Sequence, residues 1–282
     1  MEDKYLISID YGCDLSMKEC IKNNIIPIQL SYVIDDTLFK DNLDEKEYIK
    51  IYKKVRKGKK ASIISTNVYV YLDFFYNLLK QNKNILHICE GNLESNNYKW
   101  ANFAKEVLKE EYNDLNIVII NSNSLSLGAG MLALEASKKR SEDVSIDDVS
   151  TWILENAKNV NSIFASHKAK NHVIENGLNK MLSKKTILKL KANGDLELAN
   201  GTSFNDLYSF LKNGIINSDN SFKNQTLYIS HSDNVKDAKV CGEKIKEELG
   251  FKNVYYSYMG PSVISNIGPN FLALFFFKDK CI

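Results

Sequence analysis

The sequence predicts an α/β protein in two parts: a parallel-sheet N-terminal domain over 1–155 and an α+β C-terminal domain over 156–282, with a ligand cleft between them. Three observations carry this. Through the first half, short β-rich runs alternate with helix-length segments, a rhythm that calls for crossover connections and a parallel, doubly wound sheet. Past residue 150 the rhythm changes to hairpin and strand signals interleaved with helices. No internal repeat, low-complexity tract or flexible linker separates the halves, so they are expected to pack together, and a cleft between packed parts is the default ligand site.

The elements follow in order from apolar periodicity and turn signals. "KYLISID" reads as a strand, 16–23 as a short helix, "IIPIQLSYVI" as a second strand and 45–56 as a helix. Residues 69–80 read as a helix, "NILHIC" as a strand, "YKWANFAKEVLKEEY" as a helix, "LNIVIIN" as a strand and "GAGMLALEASKKR" as a helix. In the second half, "VSIDDVSTWILENAKNV" reads as a helix with a serine or aspartate cap. "TILKLKANGDLEL" reads as a hairpin through Asn193-Gly194, the strongest short turn signal in the chain. "QTLYISHS", "NVYYSYM" and "FLALFFF" read as strands, and "NVKDAKVCGEKIKEEL" as a helix closed by Gly250.

With 282 residues, 44% hydrophobic and 26% charged, the composition is that of a soluble globular protein. The longest strongly apolar run, 271–277, is far short of the ~20 residues of a membrane helix, and the N-terminus lacks a signal-peptide layout, so a cytoplasmic location without membrane insertion is expected. Five scattered cysteines without C-x-x-C spacing suggest free thiols and no structural zinc. A net charge of +2 does not mark a nucleic-acid binder. The basic cluster from Lys53 to Lys60 reads as a solvated helix end and loop.

Two of the chain's three prolines follow glycines, at Gly260-Pro261 and Gly268-Pro269, and pin two sharp bends. "NSNSLSLGAG" follows an apolar strand and precedes a helix, where open α/β sheets bind ligands. It is neither a complete G-x-G-x-x-G nor a phosphate loop with its lysine, so a carboxylate or chain end suits it better than a nucleotide. His87, His167, His172 and His231 form no ligand spacing, and no H-E-x-x-H, G-x-S-x-G or paired-carboxylate motif appears. No cofactor or metal is expected.

Five stretches, taken in order, carry a resemblance: "SIDYGCDLS", "IIPIQLSYVIDDTLFKD", "ASIISTN", "INSNSLSLGAGMLALEAS" and "MGPSVISNIGPNFLALFFF". Together they resemble the landmarks of the DegV family of bacterial fatty-acid-binding proteins, over nearly the whole chain. The resemblance implies a non-catalytic protein that holds one long-chain fatty acid in an inter-domain tunnel, its carboxylate gripped by hydroxyls at the mouth. It also implies, as in several members, a separate fatty-acid kinase as partner. A long acyl chain gains ~0.8 kcal/mol per buried CH₂, so an apolar tunnel supplies affinity and a few polar groups fix orientation.

Carried over residue by residue, the expected head-group site comprises Ser62, Ser65, Thr66, Cys89, Glu90, Ser126, Gly128 and Asn266. Leu127, Met131, Phe164 and Leu182 are expected in the tunnel walls. The chain departs from the family pattern at several of these positions. Tyr11 stands where the family has serine after Asp10, although Asp14 and Leu15 match. The hydroxyl loop fits Ser62–Thr66 in two registers. The serine pair falls on Cys89 and Glu90, and Asn266 stands in place of histidine, on a loop bracketed by the two Gly-Pro steps. An ionised Glu90 facing the mouth would repel a ligand carboxylate. Two alternatives remain open: a small-carboxylate enzyme using Asp10, Asp14 or His231, and a divergent interaction or regulatory module.

Overall fold

The computed structural model describes residues 4–81, 83–91, 96–166, 186–190, 196–198, 207–216, 222 and 224–278. The chain opens with β1 (Tyr5–Ile9), a single 3-10 turn at Tyr11–Cys13, α1 (Met17–Lys22) and β2 (Ile25–Pro27). A β-hairpin, β3 (Ser31–Ile34) and β4 (Thr37–Lys40), is followed by α2 (Glu45–Arg56) and β5 (Ala61–Ile63). Next come α3 (Val68–Leu79), β6 (Asn84–Cys89), α4 (Asn96–Lys109), β7 (Ile117–Asn121), α5 (Leu127–Ser141) and α6 (Ile146–Ala157). The C-terminal part holds β8 (Val160–Ser166), β9 (Thr186–Leu190), β10 (Leu196–Leu198), α7 (Leu207–Ile216), β11 (Thr226–His231), α8 (Val235–Leu249), β12 (Asn253–Tyr258), α9 (Pro261–Ile267) and β13 (Phe271–Phe277).

Among the described residues the N-terminal part forms a parallel sheet in the order β2-β1-β6-β7, as the βα alternation requires. The C-terminal part forms a mixed sheet, β10-β9-β8-β13-β11-β12. A small antiparallel sheet, β4-β3-β5, stands apart from both.

Strand alternation assigns the core to layers. In β13 all seven residues are buried. Phe271, Ala273, Phe275 and Phe277 face the cluster that holds α5 and α6, whereas Leu272, Leu274 and Phe276 face the cluster under α7 and α8. A strand covered on both faces reads as an uninterrupted apolar run, which is why this one is plain in the sequence. In β1 and β6 the same alternation sends Ile7, Ile9 and Ile88 toward α5, and Leu6, Ile85 and Cys89 toward α3 and α4. Helix α5 is therefore shared between the two sheets, which accounts for a helix buried nearly all round.

Three local readings need correction. "IIPIQLSYVI" is two strands in different sheets. Pro27 closes the edge strand β2, where a missing N–H costs least, and the chain then turns into β3. The β3–β4 hairpin turns on Asp35 and Asp36, whose φ values of 54° and 59° are those of a two-residue primed turn built without glycine. The stretch at 160, read as the end of a helix, starts β8. The segment between the Gly-Pro steps is helix α9 rather than a loop. Pro261 occupies its first position, and Gly268, with φ 75°, ends it by donating its N–H to the Ile264 carbonyl at 2.8 Å. The hairpin expected at 186–198 forms as β9 and β10, with its Asn193-Gly194 turn outside the described residues.

Candidate functional site

A cavity of about 230 Å³ lies between the parallel-sheet part and the mixed-sheet part. One wall comes from the loops that leave β6 and β7 and from the start of α4: Glu90, Gly91, Leu125, Asn96 and Asn97. The other comes from β8 and α9: Phe164, Ser262, Val263, Asn266 and Ile267. Leu125, Phe164, Val263 and Ile267 give it an apolar body, and the amides, Ser262 and Glu90 are its polar groups, the composition expected of a ligand site.

The orientation of Glu90 is set by its neighbours. Successive side chains at a strand end point to opposite faces, so Cys89 goes into the α3–α4 cluster and Glu90 goes the other way. Its backbone N–H donates to Asp10 Oδ2 at 2.9 Å. Its carboxyl lies over Gly12, where an added Cβ would sit 1.7 Å from Oε2, so only glycine leaves the space. Oε1 accepts the backbone N–H of Ser126 at 3.4 Å.

Ser126, at the N-terminus of α5, has φ 56° and ψ −140°, a conformation that costs a non-glycine residue ~1–3 kcal/mol and is held only by its surroundings. Those surroundings are polar. Its hydroxyl donates to Asp14 Oδ2 in a short hydrogen bond and lies 2.8 Å from Ser230 Oγ. Asp14 Oδ1 in turn accepts the N–H of Gly260 at 2.7 Å, just before α9. One chain of contacts thus joins Glu90, Ser126, Asp14 and the start of the helix that forms the opposite wall.

This polar network is rich in carboxyls. Burial, reinforced by the charges of Asp10 and Asp14, pushes the Glu90 carboxyl up to about 8. Burial also raises Asp14 to about 7, against the lowering effect of the Gly260 N–H and the Ser126 hydroxyl. Among the described residues no lysine or arginine lines the cavity. Near neutral pH Glu90 is therefore mainly a carboxylic acid, able to donate a hydrogen bond into the cavity as well as accept one.

Of the residues expected from the sequence, Glu90, Phe164 and Asn266 meet at this cavity, and Ser126 stands directly behind Glu90. Asn266 is exposed in the last turn of α9 and donates to the Ser262 carbonyl at 3.0 Å. Thr66 is half-buried and sits one contact behind the wall, its hydroxyl donating to Asn97 Oδ1 at 2.8 Å. Ser62 and Ser65 are exposed and do not line the cavity. Cys89 is fully buried, its thiol raised by burial and then by Asp10. Leu127 and Met131, both at 0% exposure, pack in the core rather than in the cavity wall. Gly128 allows close packing against Ser124, whose Oγ would lie 1.8 Å from an added Cβ. Leu182 lies outside the described residues.

The residues weighed for an enzyme are not in the cavity lining. Asp10 Oδ1 accepts the Tyr71 hydroxyl at 2.6 Å and faces His87 Nε2 at 3.3 Å. His231 is 1% exposed, and burial, then Lys239, lowers it to about 4. Asp10, His87 and Cys89 place ligand-type atoms within 4.8 Å of one another, but Asp10 is already engaged on both oxygens and His87 Nδ1 lies 2.9 Å from Ser8 Oγ. That trio reads as a buttress under Glu90. Cys13, Cys20, Cys89 and Cys241 are buried, with no disulfide among the described residues, and Cys281 lies outside them. Among the described residues no helix is long and apolar enough to cross a membrane.

The family model described as "Uncharacterised protein, DegV family" matches residues 4–279. The chain belongs to the DegV family. It is 30% identical to a DegV domain-containing protein of Clostridium perfringens over 98% of both chains. Its fold matches a DegV lipid-binding protein of Thermotoga maritima with a TM-score of 0.82 at 17% identity, over 96% of this chain and 97% of that one. It also matches the Streptococcus pneumoniae fatty acid kinase B3 protein loaded with linoleic acid, with a TM-score of 0.78 at 16% identity, over 98% of this chain and 100% of the other. Sequence reasoning missed Asn97 and Ser262 as lining this cavity and Gly12 as the residue beneath the Glu90 carboxyl. Gly12 stood in a quoted landmark, but its role depends on Glu90, far along the chain; Asn97 and Ser262 carried no local signal.

Proposed function

We propose that this DegV family member is a cytoplasmic lipid-binding protein. It holds a single-chain lipid, a long-chain fatty acid or a close apolar relative, between residues 1–155 and 156–282, and does no chemistry on it. The observation that carries this reading is the cavity itself, an apolar body ending in the buried polar group formed by Glu90 and Ser126. Two fold relatives support it: one is a lipid-binding protein and the other carried linoleic acid. At about 230 Å³ the cavity is below the ~300–1,000 Å³ usual for ligand sites, so it takes the head group and the first methylenes. The likeness to a fatty acid kinase B3 protein supports presentation of the bound acid to such a kinase.

Calorimetric titration of delipidated protein with oleate tests this. Saturable binding of one oleate per chain is expected. Absence of saturable binding to folded protein overturns it.

A further inference from the structure

Resting on the lipid-binding reading, we infer that Glu90 is the residue that reads the head group. The cavity accepts a head group only when it and the Glu90 carboxyl together carry a proton. The ligand class is then a single-chain lipid with an uncharged, hydrogen-bonding head, taken at any pH, and a fatty acid taken only while one proton is shared between two carboxyls.

The geometry leaves Glu90 little alternative. Its carboxyl packs over Gly12 at Oε2 and accepts the Ser126 N–H at Oε1, while Asp10 holds its backbone N–H, so these contacts keep the side chain at the edge of the cavity it lines. Among the described residues, the groups that face it from each packed element can be named. They are Asp10, Tyr11, Cys13 and Asp14 from the β1–α1 segment, Ser126 from α5, Asn96 and Asn97 from α4, and Ser262 and Asn266 from α9. None is a cation, and the two aspartates add negative charge.

A carboxylate entering beside an ionised Glu90 would place two like charges together among described groups that include no cation, which is unfavourable in a partly enclosed cavity. If Glu90 enters the complex as the acid, its O–H donates to the ligand carboxylate, and the pair carries a single negative charge with one proton between them. An alcohol or glyceride head needs no such proton, because its hydroxyl can donate to an ionised Glu90 or accept from a neutral one. The raised Glu90 carboxyl keeps that proton available near neutral pH and loses it above about 8.

The test compares oleate and oleyl alcohol, each presented as monomer to delipidated protein, at about pH 7 and about pH 9.5, where oleate is ionised throughout. For the wild type, oleate affinity should fall about tenfold or more across that range while oleyl alcohol affinity stays within about twofold. Glu90→Gln keeps the shape and a donor without titrating, so its oleate affinity should be flat with pH. Glu90→Ser is the second variant and should likewise be flat. Oleate affinity of the wild type that does not change with pH, or that falls equally in both variants, overturns the role of Glu90 while leaving lipid binding intact. Failure of both ligands to bind folded protein at either pH overturns the lipid-binding reading together with it.

Discussion

The carboxyl of Glu90 occupies the space that a side chain at position 12 would need: a Cβ on Gly12 would lie 1.7 Å from Glu90 Oε2. The two residues are coupled by exclusion. Gly12→Ala should evict the carboxyl toward the cavity and destabilise the protein by ~1–3 kcal/mol, as overpacking of a filled site does. Adding Glu90→Ala should restore much of that loss, because the atom in the way is gone. Urea unfolding of the two single variants and the double variant reads the coupling, and strictly additive losses would count against this contact.

Stability should also depend on pH through the buried acids. Glu90, raised from the ordinary 4.5 to about 8, contributes stability that is complete below 4.5 and is lost as pH rises through about 8. Asp14, raised from 3.8 to about 7, acts in the same direction. His231, lowered from 6.5 to about 4, acts in the opposite sense but only below 6.5. Between about pH 6.5 and about pH 8 the ligand-free protein should therefore lose stability. Glu90→Gln should remove on the order of 1–2 kcal/mol of that loss. Urea midpoints of both proteins across the window check it; identical slopes would place Glu90 in a more solvated setting.

Ser126→Ala should cost ~1–3 kcal/mol, because it leaves Asp14 without its hydroxyl donor inside the protein. It should also raise the Asp14 carboxyl further, a change visible by carboxyl NMR as protonation persisting to higher pH. An unchanged Asp14 titration would mean that the Gly260 N–H alone holds that carboxylate.

What could be read in advance follows from how local each signal is. The run 271–277 and the βα alternation of the first half carry their meaning within a few residues of themselves, and both sheets followed from them. Helix α9 was legible in principle, since proline at its first position and glycine just past its end are helix-boundary chemistry, but seven residues between two Gly-Pro steps also suit a loop. The β3–β4 turn hid because Asp35-Asp36 can adopt left-handed angles without announcing them as Asn-Gly does. At the site, Glu90 and Asn266 stood out as departures from a family pattern. Gly12, Asn97 and Ser262 act only through residues far away in the chain. Leu127 and Met131, expected in the tunnel walls, are buried in the core cluster, because an apolar residue beside a ligand loop can also complete the packing of a helix shared by two sheets.

Native mass spectrometry of protein purified directly from its host cells tests the lipid-binding reading most directly, because a retained ligand appears as a discrete added mass. A mass increment matching one single-chain lipid per protein chain, lost on delipidation and restored by oleate or oleyl alcohol, is the expected result. A folded protein that carries no added mass and takes up neither lipid would contradict it.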